Sequence, residues 1–509
     1  MVEDEARLSR PARGRDLVVL MALGAFIATG GILACRPDGG PPDTPAAPTI
    51  RLPTASAEIT PAPATPPPGP PAFPLRVDPT GRYVVDQFGA PWPLVGDAAW
   101  SIIGTLSPAR VTWYLDRLEA HGINAILVSL IEGFYSENAP DTKAGDAPYQ
   151  GEMFRSAPNP AYWAFVDDLV SKAAARGITV LAVPLYVGWG DDGIGAQTLA
   201  ASEADIEAYG EFLAQRYESS PNVVWVIGGD KGSINDPGNA EYKKRFESLA
   251  IGLRNHSSHL ITGHGPHGLF TSYWGSHPSW LDLDNIYIYT HDVVDEVLAT
   301  GAAWHSPATP FFWMEGTYES DNTGVRPNSP TRQQLREMMY GTFCTGGFGT
   351  IFGNNPRWYF GAAYPGSPYA PYLGTWEETL EDPDGDLDEG TKDLARFAAF
   401  VRAVPDWQLT FPDTAGTFLT AGEGTGDTRA AARFSTSLGL VYVPTHRKVT
   451  LDLTEFAAAG SRVVIRKYDP SDGSSSTIGT YPTSGSQVIE SLGPNAEGFG
   501  DWVLLVQPS

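Results

Sequence analysis

Two acidic residues, each at the end of an apolar run, are the strongest candidates for chemistry in this sequence. Residues 222–228 are rich in valine and isoleucine and lead to Asp230, while residues 311–314 are aromatic and apolar and lead to Glu315. Such runs are typical of buried β-strands. In a barrel of parallel strands both acids would lie at the face where active sites form, and paired carboxyl groups there suit glycosidic bond cleavage.

The two acids are predicted to have different roles. We assign Asp230 as the general acid/base and Glu315 as the nucleophile, because the fourth and seventh strands of such barrels face each other across the mouth. Burial and nearby carboxylate charge would raise the pKa of Asp230 and keep it protonated before attack. The alternative is that Asp230 caps a loop and Glu315 pairs with an arginine such as Arg357. Glu319 and Asp321 are rival candidates for the nucleophile.

The elements that must position these acids alternate between strand and helix. Eight apolar runs separated by helical segments occupy residues 75–408 and predict an α/β fold, a (β/α)8 TIM barrel. An open doubly wound sheet is the competing architecture, but neither a GxGxxG nor a P-loop sequence follows a predicted strand.

Local signals predict where several of the helices begin. Ser107 and Asn159 each precede a proline, which is a favoured pair at a helix N-terminus. Ser202 with Asp205 resembles a capping box, and a further helix begins near Ser329-Pro330 or at Thr331.

Further polar and aromatic residues follow the predicted strands and are expected to bind the substrate by hydrogen bonds and ring stacking. Loop packing is the alternative for the two tryptophans at 100 and 189, and a backbone turn is the alternative for the acid at 97. The predicted substrate-binding residues are Asp97, Trp100, Glu132, Tyr186, Trp189, His264, His267, Tyr289, His291, Tyr318, Asn354 and Trp358.

The sequence does not predict a metal or a cofactor. His259, His264 and His267 lie close together, but their spacing matches no zinc signature and the chain has no HExxH sequence. We therefore expect neither a metal site nor a cofactor.

The N-terminus predicts export. Arginines precede an uncharged apolar segment at residues 17–34, which resembles a bacterial signal, and the sequence Ile-Leu-Ala before Cys35 resembles a lipoprotein processing box. A plain signal peptide or a signal anchor is the alternative. Residues 36–74, rich in Pro, Ala and Thr, are expected to be a disordered tether. These features predict a lipid-anchored protein on the outer face of the membrane, or otherwise a secreted one.

Composition limits the possible partners. The 509 residues include 34 Lys+Arg and 59 Asp+Glu, a formal charge of −25, so nucleic acid would be repelled. Cys35 and Cys344 are not expected to form a structural disulfide. We expect a monomer whose partners are an oligo- or polysaccharide substrate and, through the lipid, a membrane.

The pattern changes after residue 408. Residues 409–509 contain short β-rich runs between turn residues, which predict a small all-β sandwich.

Several of these segments resemble those of a known family. Residues 96–100 (GDAAW), 225–230 (WVIGGD) and 314–319 (MEGTYE), with the closing DWVLL at 501–505, are similar to the apiosidase-like family of bacterial (β/α)8 glycoside hydrolases. Members of this family often carry a C-terminal module named for collagen binding. The resemblance extends over residues 75–507, and the family's catalytic positions fall on Asp230 and Glu315. The chain departs from the family at residues 263–267, where the family usually has His-Pro, which bears on the sugar recognised.

These observations predict an exported glycoside hydrolase that cleaves plant or microbial polysaccharide, with retention of configuration. The second hypothesis is a non-catalytic cell-surface protein that binds glycan or matrix on a barrel scaffold. The separation of the carboxyl groups distinguishes mechanisms, since about 5–5.5 Å suits retention and about 6.5–9.5 Å suits inversion.

Overall fold

The structure is a computed structural model. The structure describes residues 72–136, 138–188, 192–230, 237–265, 278–289, 292–300, 309–320, 330–361, 376–380 and 389–509. The predicted signal at 1–35, with Cys35, and nearly all of the predicted tether lie outside these residues.

Eight parallel strands form one sheet that is almost closed. The strands are β1 Leu94–Ala98, β2 Ala125–Ser129, β3 Thr179–Val183, β4 Val223–Gly228, β5 Ile261–His264, β6 Asp284–Tyr287, β7 Phe311–Glu315 and β8 Gly349–Phe352. Their hydrogen-bonded order is β5-β4-β3-β2-β1-β8-β7-β6. Between β5 and β6, the Asn285 side chain donates to the Thr262 hydroxyl at 2.8 Å and helps to close the barrel.

The barrel strands are buried along their whole length because helices cover the outside of the sheet. Within the described ranges, no helix has both the length and the apolarity needed to cross a bilayer. The helices are α1 Ile102–Thr105, α2 Pro108–Ala120, α3 Pro160–Ala175, α4 Gly195–Ala200, α5 Glu203–Tyr217, α6 Ala240–His256, α7 Val293–Thr300, α8 Arg332–Arg336, α9 Thr342–Cys344 and α10 Glu389–Ala403.

The predicted helix starts are confirmed. Ser107 and Asn159 accept backbone hydrogen bonds at the N-termini of α2 and α3. Ser202 and Asp205 form a reciprocal capping box on α5, and Thr331 forms another on α8 with Gln334. These caps satisfy amide groups that would otherwise lack partners in the first turn.

The sequence did not predict an irregular turn in the helical segment that begins with α8. α8 continues through a π-helical turn, Glu337–Gly341, before α9. Such turns are rare and interrupt the regular hydrogen-bond ladder. Here the turn buries the Glu337 side chain where the barrel meets the C-terminal domain.

The C-terminal part is an antiparallel sandwich, so the prediction of a (β/α)8 barrel followed by a small β-sandwich is confirmed. One sheet has six strands in the order β9-β11-β12-β17-β14-β15, and the other has three in the order β10-β13-β16. Their strands are β9 Phe411–Pro412, β10 Leu419–Ala421, β11 Ala431–Phe434, β12 Gly439–Val443, β13 Val449–Asp452, β14 Arg462–Tyr468, β15 Ser475–Pro482, β16 Ser486–Ile489 and β17 Trp502–Pro508.

The junction between barrel and sandwich contains buried ion pairs. Arg336 from the barrel forms a two-pronged hydrogen bond with Asp501 at 2.7 and 2.8 Å and a third bond with Asp393 at 3.0 Å. From the sandwich, Arg433 donates to the carbonyl oxygen of Phe343 at 2.7 Å. The side chains of Arg336, Asp393 and Asp501 are fully buried. The sandwich is therefore packed against the barrel through an interface that includes solvent-excluded ion pairs.

Candidate active site

Asp230 lies just after β4 on an unusual stretch of backbone. Gly228, Gly229 and Asp230 have φ angles of 98°, 153° and 38°. Glycine reaches positive φ without steric cost, and aspartate tolerates it better than most residues. A side chain at position 229 would clash with Tyr186, because its Cβ would lie 2.5 Å from a ring carbon. The two glycines thus let the chain turn sharply and present the Asp230 carboxyl beside the Tyr186 ring.

His264, the last residue of β5, connects the two acids. Its Nδ1 accepts a hydrogen bond from the Asp230 amide at 3.1 Å, and its Nε2 lies 3.0 Å from Glu315 Oε2. Because Nδ1 accepts, the ring donates from Nε2 to Glu315. One imidazole therefore contacts both strand ends, so the two acids converge at the C-terminal face of the barrel.

Tyrosine hydroxyl groups supply further hydrogen bonds to the acids. Tyr287 donates to Asp230 Oδ1 at 2.6 Å, and Tyr186 donates to Oδ2 at 3.4 Å. Tyr289 donates to Glu315 Oε1. These donors orient the carboxyl groups without adding a positive charge.

The environment of Asp230 favours the protonated form of its carboxyl group. Burial raises the pKa of Asp230, and the charge of Glu315 raises it further, against smaller opposing effects of His264 and the tyrosine hydroxyls. For His264, burial lowers the pKa, but the hydrogen bond to Glu315 and the two carboxylate charges outweigh it, so the pKa of the imidazole is raised.

Aromatic rings form a wall beside the acids. The Trp100 ring centroid lies 5.2 Å from that of Tyr186 and 5.8 Å from that of His264. The Trp100 indole donates to the Tyr318 hydroxyl at 2.9 Å, and the Tyr318 ring packs edge-on against Trp358. Such a wall can stack on the apolar face of a sugar ring.

Asp97 does not have the predicted contact with substrate. Its side chain is fully buried and accepts two hydrogen bonds from Arg357, both 2.8 Å long, and one from Tyr114 at 2.6 Å. Arg357 is thereby occupied by Asp97 and does not pair with Glu315. The carboxylate of Asp97 holds the end of β1 to the segment after β8, so the prediction for Asp97 is wrong.

Asn354 also proves to be structural. The amide of this fully buried residue donates to Glu319 Oε2 at 2.9 Å, and Glu319 Oε1 accepts from the Gly390 amide at 2.6 Å. The rival nucleophile Glu319 is therefore held by the Asn354 side chain and the Gly390 backbone amide.

Glu132 and His264 likewise depart from the prediction that they contact substrate. Glu132 is buried and accepts from Ser101 at 2.6 Å; burial raises its pKa, against the opposing hydrogen bonds of Ser101 and Ser136. His264 is completely buried and holds the acids in place. Neither side chain is therefore exposed enough to contact a substrate.

The structure brings most of the other predicted residues together, and some lie outside its described part. The residues that surround the two acids are Trp100, Tyr186, Tyr289, Tyr318 and Trp358. Those that lie outside the described residues are Trp189, His267, His291 and Asp321.

Sequence reasoning missed Tyr287, whose hydroxyl donates to Asp230 Oδ1 at 2.6 Å. A signal for Tyr287 was present, because residues two apart in a strand point the same way, which places Tyr287 beside Tyr289.

A (β/α)8 barrel with paired acids at the ends of β4 and β7 defines the class of protein, a glycoside hydrolase. Comparison with known sequences agrees: residues 78–405 match the family "Apiosidase-like, catalytic domain", and residues 412–507 match "Putative collagen-binding domain of a collagenase". The chain belongs to the apiosidase-like family. No curated protein matches it.

Solved structures share the fold. A family 5 glycoside hydrolase from Bacteroides vulgatus ATCC 8482 has a TM-score of 0.72 at 24% identity, covering 86% of this chain and 92% of its own. A protein titled "Glycoside hydrolase" has a TM-score of 0.72 at 22% identity, covering 86% and 97%. A "putative glycoside hydrolase" from Bacteroides vulgatus ATCC 8482 has a TM-score of 0.63 at 13% identity, covering 86% of this chain and 83% of its own.

Proposed function

We propose that the protein is an exported, retaining, apiosidase-like hydrolase of plant or microbial polysaccharide, with Asp230 as general acid/base and Glu315 as nucleophile. The observation that carries this proposal is the convergence of both acids on His264, with further hydrogen bonds from tyrosines. Substrate contacts come from the neighbouring aromatic wall.

The chemistry follows in two steps. Glu315 attacks the anomeric carbon while Asp230 gives its proton to the leaving glycosidic oxygen, which leaves a glycosyl ester on Glu315 and a carboxylate on Asp230. Asp230 then takes a proton from water, whose oxygen attacks the anomeric carbon and releases Glu315. Tyr289 and His264 hold the two oxygens of Glu315 so that one lone pair can reach the sugar.

The test is a substrate screen. Purified protein is incubated with 4-nitrophenyl glycosides, among them the apioside suggested by the family's name, and with plant and microbial polysaccharides. Proton NMR during early hydrolysis then identifies the first anomer released. We expect turnover with the anomeric configuration retained. Folded protein that hydrolyses nothing in the screen would overturn the proposed activity, and release of the opposite anomer would overturn retention alone.

The export part of the proposal rests on the sequence before the barrel. We infer that Cys35 carries lipid after cleavage of residues 1–34 and that residues 36–74 act as a tether. Expression in a bacterium with a clickable fatty acid should label the full chain but not Cys35→Ser. Equal labelling of both forms would contradict lipidation at this cysteine. The barrel and sandwich are expected to act as a monomer, which light scattering can check.

A further inference from the structure

We propose that Glu319 is a positioning residue for substrate binding. Its carboxylate holds the loops after β7 and β8 so that Tyr318 and Trp358 stand correctly in the aromatic wall beside the catalytic acids. The inference rests on the proposed hydrolysis of a polysaccharide. It goes beyond that proposal because it assigns a role to an acid that acts on the sugar only through its neighbours.

The buried Glu319 carboxylate joins three segments of the chain. Its Oε2 accepts from the Asn354 side chain at 2.9 Å, and its Oε1 accepts from the Gly390 amide at 2.6 Å. The backbones of the two loops are also bridged, since the Glu319 amide donates to the Gly353 carbonyl and the Asn355 amide donates to the Glu319 carbonyl, both at 2.9 Å. The acid therefore ties the loop after β7 to the loop after β8 and to the first turn of α10.

The α10 amide that Glu319 binds is itself held in place. Thr391, in the first turn of α10, accepts a hydrogen bond from the Arg357 side chain at 3.0 Å. Asp393, in the same turn, accepts one from Arg336 at 3.0 Å. Both side chains on α10 are completely buried. The amide is therefore a fixed donor, against which the carboxylate positions the two loops.

The two loops carry rings of the aromatic wall next to the groups that the carboxylate binds. Tyr318 precedes Glu319, and its ring lies against Gly353, where an added Cβ would be 2.2 Å from a ring carbon. The Trp358 amide donates to the Asn354 carbonyl at 2.9 Å. The two rings pack edge-on with their centroids 6.2 Å apart. A shift of either loop would therefore displace part of the wall.

The two donors require two acceptor oxygens. Because each oxygen of Glu319 faces an N–H group, a glutamine amide at this position would turn its own NH2 group toward one of the donors. Glu319→Gln should therefore displace the loops without changing the size of the side chain. In the double variant Glu319→Gln/Asn354→Asp, the carboxylate at position 354 accepts from the amide at position 319, so each contact again joins a donor to an acceptor.

Steady-state kinetics test this role. The probe is the polysaccharide or 4-nitrophenyl glycoside that the wild type hydrolyses in the substrate screen. For Glu319→Gln we expect KM to rise about tenfold and kcat to stay within about threefold, because a displaced wall weakens binding of the ground state and the transition state alike. The double variant should return KM to within about threefold of the wild-type value. Asn354→Ala, which removes one of the two contacts, should raise KM by a smaller factor.

Asn124→Asp is the matched control. This buried residue precedes β2 at the opposite end of the barrel, and its side chain donates to the Pro93 carbonyl at 2.9 Å. The change also replaces a matched buried hydrogen bond with two facing groups of the same kind. It should lower the melting temperature, as Glu319→Gln does, but leave KM unchanged.

Three results would overturn the positioning role while leaving the hydrolase proposal intact. One is a fall in kcat of about 10³-fold in Glu319→Gln that the double variant does not recover, since this would make Glu319 a catalytic residue. Another is a lower melting temperature with unchanged KM in Glu319→Gln. The third is a rise in KM that Asn124→Asp shares or that the folded double variant does not reverse. A wild type inactive throughout the screen would overturn both proposals.

Discussion

The buried carboxylates at the mouth of the barrel and those at its junction with the sandwich have different partners. At the mouth, Asp230 and Glu315 receive hydrogen bonds from tyrosine and histidine. At the junction, Asp393 and Asp501 are paired with Arg336. An arginine cancels a buried charge permanently, whereas a neutral donor orients a carboxyl group and leaves it able to exchange a proton.

Asp97 shows that position alone does not decide between these outcomes. It lies near the end of β1 at the mouth, as Asp230 and Glu315 lie at the ends of β4 and β7. It is nevertheless paired with Arg357, as the junction acids are paired with Arg336. The partner, more than the strand end, distinguishes a catalytic candidate from a structural acid. Substitutions in the two regions can test this distinction.

The largest effect is expected at Glu315. Glu315→Gln removes the attacking carboxylate but keeps the side-chain shape, so kcat should fall at least about 10³-fold. The free energy of unfolding should change by less than about 1 kcal/mol, because Tyr289 and His264 can still contact the amide. Asp230→Asn should behave similarly on substrates with poor leaving groups. Turnover close to wild type in either variant would remove it from the catalytic pair.

The junction should respond in the opposite way. Arg336→Met leaves Asp393 and Asp501 buried without their main partner, so the free energy of unfolding should fall by about 3–5 kcal/mol in urea titration. Arg216→Met, which breaks a partly exposed pair with Asp167, is the control and should cost less than about 1 kcal/mol. Similar losses in the two variants would mean that burial does not set the strength of these pairs.

The junction also contains an acid that is expected to stay neutral. Burial raises the pKa of Glu337 from 4.5 to about 9, with additional effects from Asp427, Asp292 and Asp501. Between these values the folded state holds a proton that the unfolded chain releases, so stability should decrease as pH rises. Glu337→Gln removes this dependence.

Urea unfolding of wild type and Glu337→Gln at pH 5.5 and pH 8 measures the effect. The free energy of unfolding of Glu337→Gln, relative to that of the wild type, should increase by up to about 1.4 kcal/mol for each unit by which the pH rises. A difference that stays constant with pH would show that Glu337 is ionised in the folded protein.

The smallest effect is expected at Tyr287. Its hydroxyl donates to Asp230 and favours the ionised carboxylate, so Tyr287→Phe should raise the pKa of Asp230. Because activity falls at high pH when Asp230 loses its proton, the alkaline limb of kcat/KM should move up by about one pH unit. Tyr209→Phe, which removes a hydroxyl bonded to the Pro184 carbonyl, should leave that limb in place. A downward shift in Tyr287→Phe would reverse the assigned role of the hydrogen bond.

Local features of the fold were predictable from the sequence. The caps at Ser107, Asn159 and Ser202 depend on side chains within three residues of the amide they bind, so the sequence alone identifies them. The two acids that end β4 and β7 were found for the same reason, because an apolar run followed by one carboxylate is a local pattern. The eight-strand count followed from repetition of such runs.

Non-local features were not predictable. The partner of Asp97 is 260 residues away, and the partner of Arg336 is 165 residues away in the other domain. No local sequence pattern indicates such ion pairs. The π-turn at Glu337–Gly341 was missed because its sequence also suits a regular helix.

The position of Cys344 makes its thiol a probe of domain opening. Its thiol is fully buried at the end of α9, close to Arg433 and the Tyr442 backbone of the sandwich, and burial raises its pKa to about 12. A thiol reagent can reach it only after the two domains separate or unfold. The rate at which Cys344 is modified therefore measures how often the two domains separate or unfold.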